Sequence, residues 1–185
     1  MIFNLATILT ISRIFCIPLI IFFYVYQNGT YRNISAYIFL IALLTDYLDG
    51  LIARNFNQMT SFGAFLDPIA DKLLVVVSIL LLSRTNESLL FLIPAIIIIC
   101  REFLVIAIRQ RLAELKGTLP LRVNTLGKIK TAFQMISIAM LLHSNILFNF
   151  INLHILGLLL LFIAAVLTVI SFIYYVKNSW GDILK

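Results

Sequence analysis

Runs of about twenty apolar residues recur along this chain with only short polar connections between them, which is the length a helix needs to span a bilayer. Six can be traced, near 5–27, 33–54, 63–84, 88–111, 124–145 and 152–176. Composition agrees: 62% of the 185 residues are hydrophobic, against about 45–50% in soluble domains. The expected fold is all-α, a polytopic membrane protein built as a six-transmembrane-helix bundle. With no fixed-period repeat, linker or low-complexity tract, residues 1–185 read as a single domain.

Short connections separate the runs. Asn28-Gly29 signals a turn after the first, Arg84-Thr-Asn-Glu87 follows the third, and Lys116-Gly117-Thr-Leu-Pro120 marks the longest loop. Short loops rich in Lys and Arg stay cytoplasmic. With the N-terminus inside, twelve of the fourteen cations fall at or toward the cytoplasm, leaving Arg32 and Arg84 outside. Both termini and the 55–62 and 112–123 loops are therefore expected in the cytoplasm. Met1-Ile-Phe-Asn-Leu-Ala6 has no positive leader and no A-x-A site follows, so no cleaved signal peptide is expected.

A net charge of +6 invites a nucleic-acid reading. The basic residues lie at the ends of apolar runs without interleaved aromatics or a recognisable module, so no nucleic-acid partner is expected. Membrane lipid headgroups or an anionic substrate suit them better. Cys16 and Cys100 lie far apart inside apolar runs and read as buried small hydrophobes outside any disulfide.

Against this background the acids are unevenly placed. Four of the eight, Asp46, Asp49, Asp67 and Asp71, fall within 26 positions between two apolar runs. Asp46 precedes Arg54 by eight residues and Asp71 follows Gly63 by eight, so each lies about 12 Å from the cytoplasmic end of its helix. Spacings of three and four put each pair on one helical face. Membrane-insertion scales charge about 2.5–3.5 kcal/mol for an aspartate at a helix centre, and neighbouring carboxylates repel one another. Arg54 and Lys72 are too few to compensate four acids. Two divalent ions would be enough, and an all-oxygen set without His or Cys favours magnesium, or manganese, over zinc.

Two carboxylate-bridged metals suit in-line phosphoryl displacement. A divalent-cation or phosphate transporter is the alternative from another class, since acids inside membranes also mark ion pathways. The outer ends of the runs carry no comparable acids, which argues against a through-path. Gly50, Ala53 and Gly63 either open room for a ligand or let helices pack closely.

These positions match the signature D-x2-D-G-x2-A-R-x8-G-x3-D-x3-D, which resembles that of the CDP-alcohol phosphatidyltransferases. The resemblance implies that Asp46, Asp49, Asp67 and Asp71 hold two divalent ions. It further implies that Asp49, Gly50, Ala53, Arg54, Thr60, Gly63 and Asp67 line the CDP site of a lipid-linked donor, and that Asp71 is the general base. A base there is chemically apt, because an acceptor hydroxyl must lose its proton as it attacks phosphorus.

Residues 101–130 hold seven of the fourteen cations. Arg111, Lys116 and Arg122 read as an ordinary basic loop. Arg101 lies eight residues inside Arg109, about 12 Å up the helix, and should face an anion there. Its neighbour Glu102 points elsewhere on the helix, is a poor partner for it, and is free to meet Lys128 or Lys130. Arg109, Lys128 and Lys130 either draw in a phosphate or snorkel to the interface. Arg13, beside Thr10 and Ser12, binds phosphate or headgroup, or reaches the interface.

Three segments add to the resemblance: Asn4-Leu-Ala-Thr-Ile-Leu-Thr10-Ile-Ser-Arg13, Arg101-Glu102-Phe-Leu with Arg109-Gln110, and Leu126-Gly127-Lys128-Ile-Lys130-Thr131 before Gln134-Met135. They are similar to the bacterial, phosphatidylglycerophosphate-forming branch of the family. That implies CDP-diacylglycerol as donor and sn-glycerol 3-phosphate as acceptor, with Arg13, Arg101, Arg109, Lys128 and Lys130 on the acceptor phosphate. It also implies a homodimer in the inner (cytoplasmic) membrane of a bacterium, with the active site on the cytoplasmic side. Siblings acting on phosphatidylglycerol or inositol phosphate are the enzyme alternatives. Ala6 departs from a family proline, and Asn124-Thr125 from a frequent Ser-Trp. The run at 152–176 adds nothing specific, and His143 and His154 read as interfacial residues, not metal ligands.

Overall fold

Apolar sequence with few interior breakers becomes helix. In a computed structural model, which describes residues 5–26, 29–55, 61–116, 125–143 and 152–183, every regular element is an α-helix. They are α1 (Leu5–Val25), α2 (Gly29–Asn55), α3 (Ser61–Ser83), α4 (Leu89–Lys116), α5 (Thr125–Leu142) and α6 (Leu153–Ile183). The six runs read from the sequence thus correspond to six helices. Two starts show their local cause. Ser88 Oγ accepts from the amide of Leu90 at 3.1 Å, and Asn152 Oδ1 accepts from the amides of His154 and Ile155 at 3.1 and 3.4 Å. Side-chain oxygens at these positions satisfy amides that the first turn leaves open.

The helices form two compact units. The first comprises 1–85 and 138–157, so α1, α2 and α3 with the end of α5 and the first turn of α6. Its α1 buries Thr10, Arg13, Ile17, Ile20 and Tyr24, a stripe at alternating spacings of three and four, which is the helical period of one face. The stripe packs against α2 and α3, where Phe39, Ala42, Leu74, Ile79 and Leu82 are buried. Tyr24 Oη and Thr85 Oγ1 lie 2.7 Å apart at one end of α1 and α3, so these two helices run parallel, with α2 antiparallel between them in sequence. Arg32 sits with its guanidinium 5.2 Å from the Tyr24 ring and donates to the Leu141 carbonyl at 3.5 Å.

Gly157 lets the first turn of α6 approach the end of α5. A Cβ there would lie 2.8 Å from Leu141 Cγ and 3.0 Å from its Cδ2, and Leu141 is fully buried. Gly157→Val is expected to destabilise the protein by about 1–3 kcal/mol, more than the few tenths that valine gains over glycine in helix propensity. Thermal unfolding in detergent checks this.

The second unit comprises 86–137 and 158–185, so α4 with most of α5 and α6. Its α4 buries Phe91, Ala95, Ile98, Glu102, Val105 and Leu112 on one face, and α5 buries Lys130, Gln134 and Ser137. From α6, Leu161, Ala164, Ala165, Thr168 and Ser171 are buried.

Both units invert the soluble pattern. Large apolar residues such as Phe15, Phe22, Leu44, Leu89, Ile96 and Ile173 stand exposed, while Arg13, Glu102 and Lys130 are inside. An apolar exterior over polar interior contacts is the pattern of a membrane protein. Two helices, Leu89–Leu112 and Leu153–Asn178, are long and apolar enough to cross a membrane, and Thr10–Val25 and Ile129–Leu142 are shorter apolar helices. The cysteines depart from expectation: both are free, but Cys100 is exposed and Cys16 half-buried, as their helices turn apolar surface outward as well as inward.

Candidate active site

The acidic signature lies on the last turns of α2 and the first turns of α3. The backbone of α2 carries Asp46, Asp49, Gly50, Ala53 and Arg54, and that of α3 carries Gly63, Asp67 and Asp71. Both acid pairs therefore keep the helical register expected of them, one turn apart on each helix. Thr60 lies outside the described residues, as do the side chains of Asp46, Asp49, Ala53, Arg54 and Asp67 and the surroundings of Gly50 and Gly63.

Asp71 is described in full. Its Oδ1 accepts from Arg13 Nη1 at 2.5 Å, with the Asp71 side chain 34% exposed and that of Arg13 completely buried. Arg13 belongs to the same stripe as Ile17, Ile20 and Tyr24, so the periodicity of α1 directs it inward onto α3. Arg13 had three open readings from sequence: phosphate, headgroup or interface. Its guanidinium meets the last acid of the signature. A charge-assisted hydrogen bond of this kind fixes the carboxylate's rotamer and leaves it partly open to solvent.

The donor set fits a divalent cation. Asp71 is one-third exposed, and four carboxylates in helical register would make the oxygen-only set that magnesium or manganese prefers. Asp46, Asp49, Asp67 and Asp71 are the residues that would hold such ions.

A second polar cluster occupies the other unit. Glu102 Oε1 accepts from Lys130 Nζ at 2.5 Å and from Arg101 Nη1 at 3.2 Å. Arg101 Nη2 donates to Ser171 Oγ at 3.2 Å, and Ser171 donates on to the Thr168 carbonyl at 3.0 Å. The Nε of Arg101, the Thr168 hydroxyl and the Tyr175 hydroxyl are buried without a hydrogen-bond partner among the described residues. Arg109 is exposed, its guanidinium 5.9 Å from the Tyr175 ring. The Lys128 side chain lies outside the described residues. Arg111 pairs with Glu114 at 3.4 Å on the exposed side, consistent with an ordinary basic surface.

Two corrections follow. Glu102 and Arg101 do meet, because a long guanidinium can wrap back around the helix to an adjacent carboxylate, and of the two lysines considered for Glu102 the described partner is Lys130. The second concerns α6, which had no expected role but contributes Ser171, Thr168 and Tyr175. A stripe at spacings of three and four, 168, 171 and 175, was the available signal; polar residues there stand out only when read as one face. The stripe 91, 95, 98, 102, 105 on α4 likewise marked Glu102 as facing inward. His143 lies edge-on to Tyr37, with ring centroids 6.0 Å apart, and His154 is exposed.

Comparison with known proteins adds an independent line. The family model for CDP-alcohol phosphatidyltransferase matches residues 3–173. A protein of Salmonella choleraesuis (strain SC-B67) named CDP-diacylglycerol–glycerol-3-phosphate 3-phosphatidyltransferase is 40% identical over 183 residues, 98% of each chain. Similarly named proteins of Rickettsia typhi and Wigglesworthia glossinidia brevipalpis are 43% and 36% identical. The first covers 94% of this chain and 96% of its own, the second 98% of each. A model match over most of the chain and relatives aligned from end to end show that the chain belongs to the CDP-alcohol phosphatidyltransferase family.

Proposed function

We propose that the protein transfers the phosphatidyl group of CDP-diacylglycerol to sn-glycerol 3-phosphate, forming phosphatidylglycerophosphate and CMP in phospholipid biosynthesis. The observation that carries this reading is the end-to-end likeness to the Salmonella and Rickettsia proteins so named, with the acidic signature intact at every fixed position. We further read all six helices as membrane spans of one catalytic domain in a bacterial inner membrane, termini and active site on the cytoplasmic side, and the protein as a homodimer. The cation distribution supports that orientation.

In the reaction an acceptor hydroxyl oxygen attacks the phosphorus that carries the diacylglycerol, the bond from that phosphorus to the CMP oxygen breaks, and the hydroxyl proton passes to Asp71. Asp71 suits the proton step because Arg13 holds one of its oxygens in place while the carboxylate keeps solvent access. Two divalent ions held by Asp46, Asp49, Asp67 and Asp71, magnesium or manganese, would supply neutralisation of charge on the phosphates. Asp49, Gly50, Ala53, Arg54, Thr60, Gly63 and Asp67 are assigned to the CDP portion. Arg101, Arg109, Lys128 and Lys130 are assigned to the acceptor phosphate, an assignment supported by the buried cations gathered at Glu102. Arg13, whose Nη1 is engaged by Asp71, we assign to orienting that carboxylate.

The test is CMP release by purified protein in detergent with CDP-diacylglycerol, a divalent ion and a panel of acceptors. Release is expected with glycerol 3-phosphate and loss of release on chelation with EDTA. Preference for phosphatidylglycerol or inositol phosphate would move the chain to a sibling activity. No CMP with any acceptor would sink the enzyme reading in favour of transport.

A further inference from the structure

We propose that Glu102 is the positioning residue of the acceptor-phosphate site, holding the Lys130 ammonium and the Arg101 guanidinium as one cationic pair for a phosphate monoester. The proposal rests on the assignment of these two cations to the acceptor. Glu102 is 5% exposed and Lys130 4%, and a single oxygen, Oε1, receives both donors, at 2.5 and 3.2 Å. Arg101 is held from a second side by Ser171 on α6. A flexible four-carbon ammonium and a long guanidinium are thereby confined to fixed positions, which lowers the entropy lost when they engage a ligand.

Both held cations retain donors suited to phosphate. An ammonium has three donors and a guanidinium five, and the buried Nε of Arg101 has no hydrogen-bond partner among the described residues. The electrostatics run the same way. Among the described residues two cations, Lys130 and Arg101, meet the one carboxylate of Glu102, which leaves the group net positive, as an anion site requires. Glu102 lessens the mutual repulsion without cancelling the charge. Adhesion between α4 and α5 would not need this arrangement, since an apolar pair of similar volume is commonly as stabilising as a buried ion pair.

Steady-state kinetics with CDP-diacylglycerol and glycerol 3-phosphate, alongside thermal unfolding, test the role. Glu102→Gln is expected to raise the glycerol 3-phosphate KM roughly 10–100-fold, the size typical of groups that orient a binding residue from behind. The KM for CDP-diacylglycerol should stay near wild type, and Glu102→Asp should fall between. Lys130→Ala and Arg101→Ala should show the same acceptor-selective loss. The charge-swapped pair Glu102→Lys with Lys130→Glu should recover stability but not acceptor KM, because the cation then starts from the wrong helix. An unchanged acceptor KM in Glu102→Gln while Lys130→Ala raises it overturns the positioning role and leaves the cation assignment standing. So does a swap that restores acceptor KM together with stability. An unchanged acceptor KM in both Lys130→Ala and Arg101→Ala overturns the assignment, and the positioning role with it.

Discussion

Replacing Asp71 by Asn is expected to lower CMP release by roughly 10²–10⁴-fold, the range for loss of a general base, while the protein stays folded. Asparagine has nearly the same shape, and its side-chain oxygen can still accept from Arg13 Nη1, so the contact between α1 and α3 keeps its geometry. It has neither the negative charge nor the basicity of the carboxylate. The loss should therefore appear in kcat, with the KM for glycerol 3-phosphate close to wild type, because the acceptor phosphate is assigned to Arg101, Arg109, Lys128 and Lys130. Initial rates of CMP release and thermal unfolding on the same preparation make the measurement. Activity within about fivefold of wild type would remove Asp71 from the proton step, since that is far short of the general-base range.

Arg13→Met should affect both stability and turnover. Methionine replaces the buried stem but not the charge, and the Asp71 carboxylate loses its described ion-pair partner. Breaking a fully buried ion pair costs about 3–5 kcal/mol. Asp71 is 34% exposed and recovers part of its hydration, so about 1–3 kcal/mol is the expected loss. For turnover the expected fall in kcat is roughly 10–100-fold, through a carboxylate free to change rotamer. Arg13→Lys should be intermediate, keeping the charge without the planar fork. A double-mutant cycle with Asp71→Asn isolates the pair, with an expected coupling energy of about 0.5–3 kcal/mol. Additive losses would mean that Arg13 acts independently of Asp71, and a selective rise in acceptor KM would return it to the phosphate-binding set.

The extent of each helix, the acidic signature and the paired register of its acids were legible in sequence because they are local properties. A helical run is set by its own apolar length and its flanking turn residues, as at Ser88 and Asn152. The spacing of Asp46 from Asp49, and of Asp67 from Asp71, becomes one-face geometry as soon as the segment is helical. Depth counting was equally local, and it singled out Arg101 as lying well inside its helix.

What only the tertiary structure decided was which way each helix turns about its own axis. In a soluble helix the apolar stripe points to the core, but here both faces are apolar, since lipid is as acceptable to Leu and Ile as a protein interior. Rotation is then set by the few polar residues finding partners in distant sequence: Arg13 with Asp71, 58 residues on, Lys130 with Glu102, 28 away, and Arg101 with Ser171, 70 away. The sequence determined the helices and the acids one of their hairpins carries. The fold determined that Arg13 turns to the last of those acids and that Glu102 gathers the cations, because an unpartnered polar group inside an apolar bundle costs more than any local preference can repay.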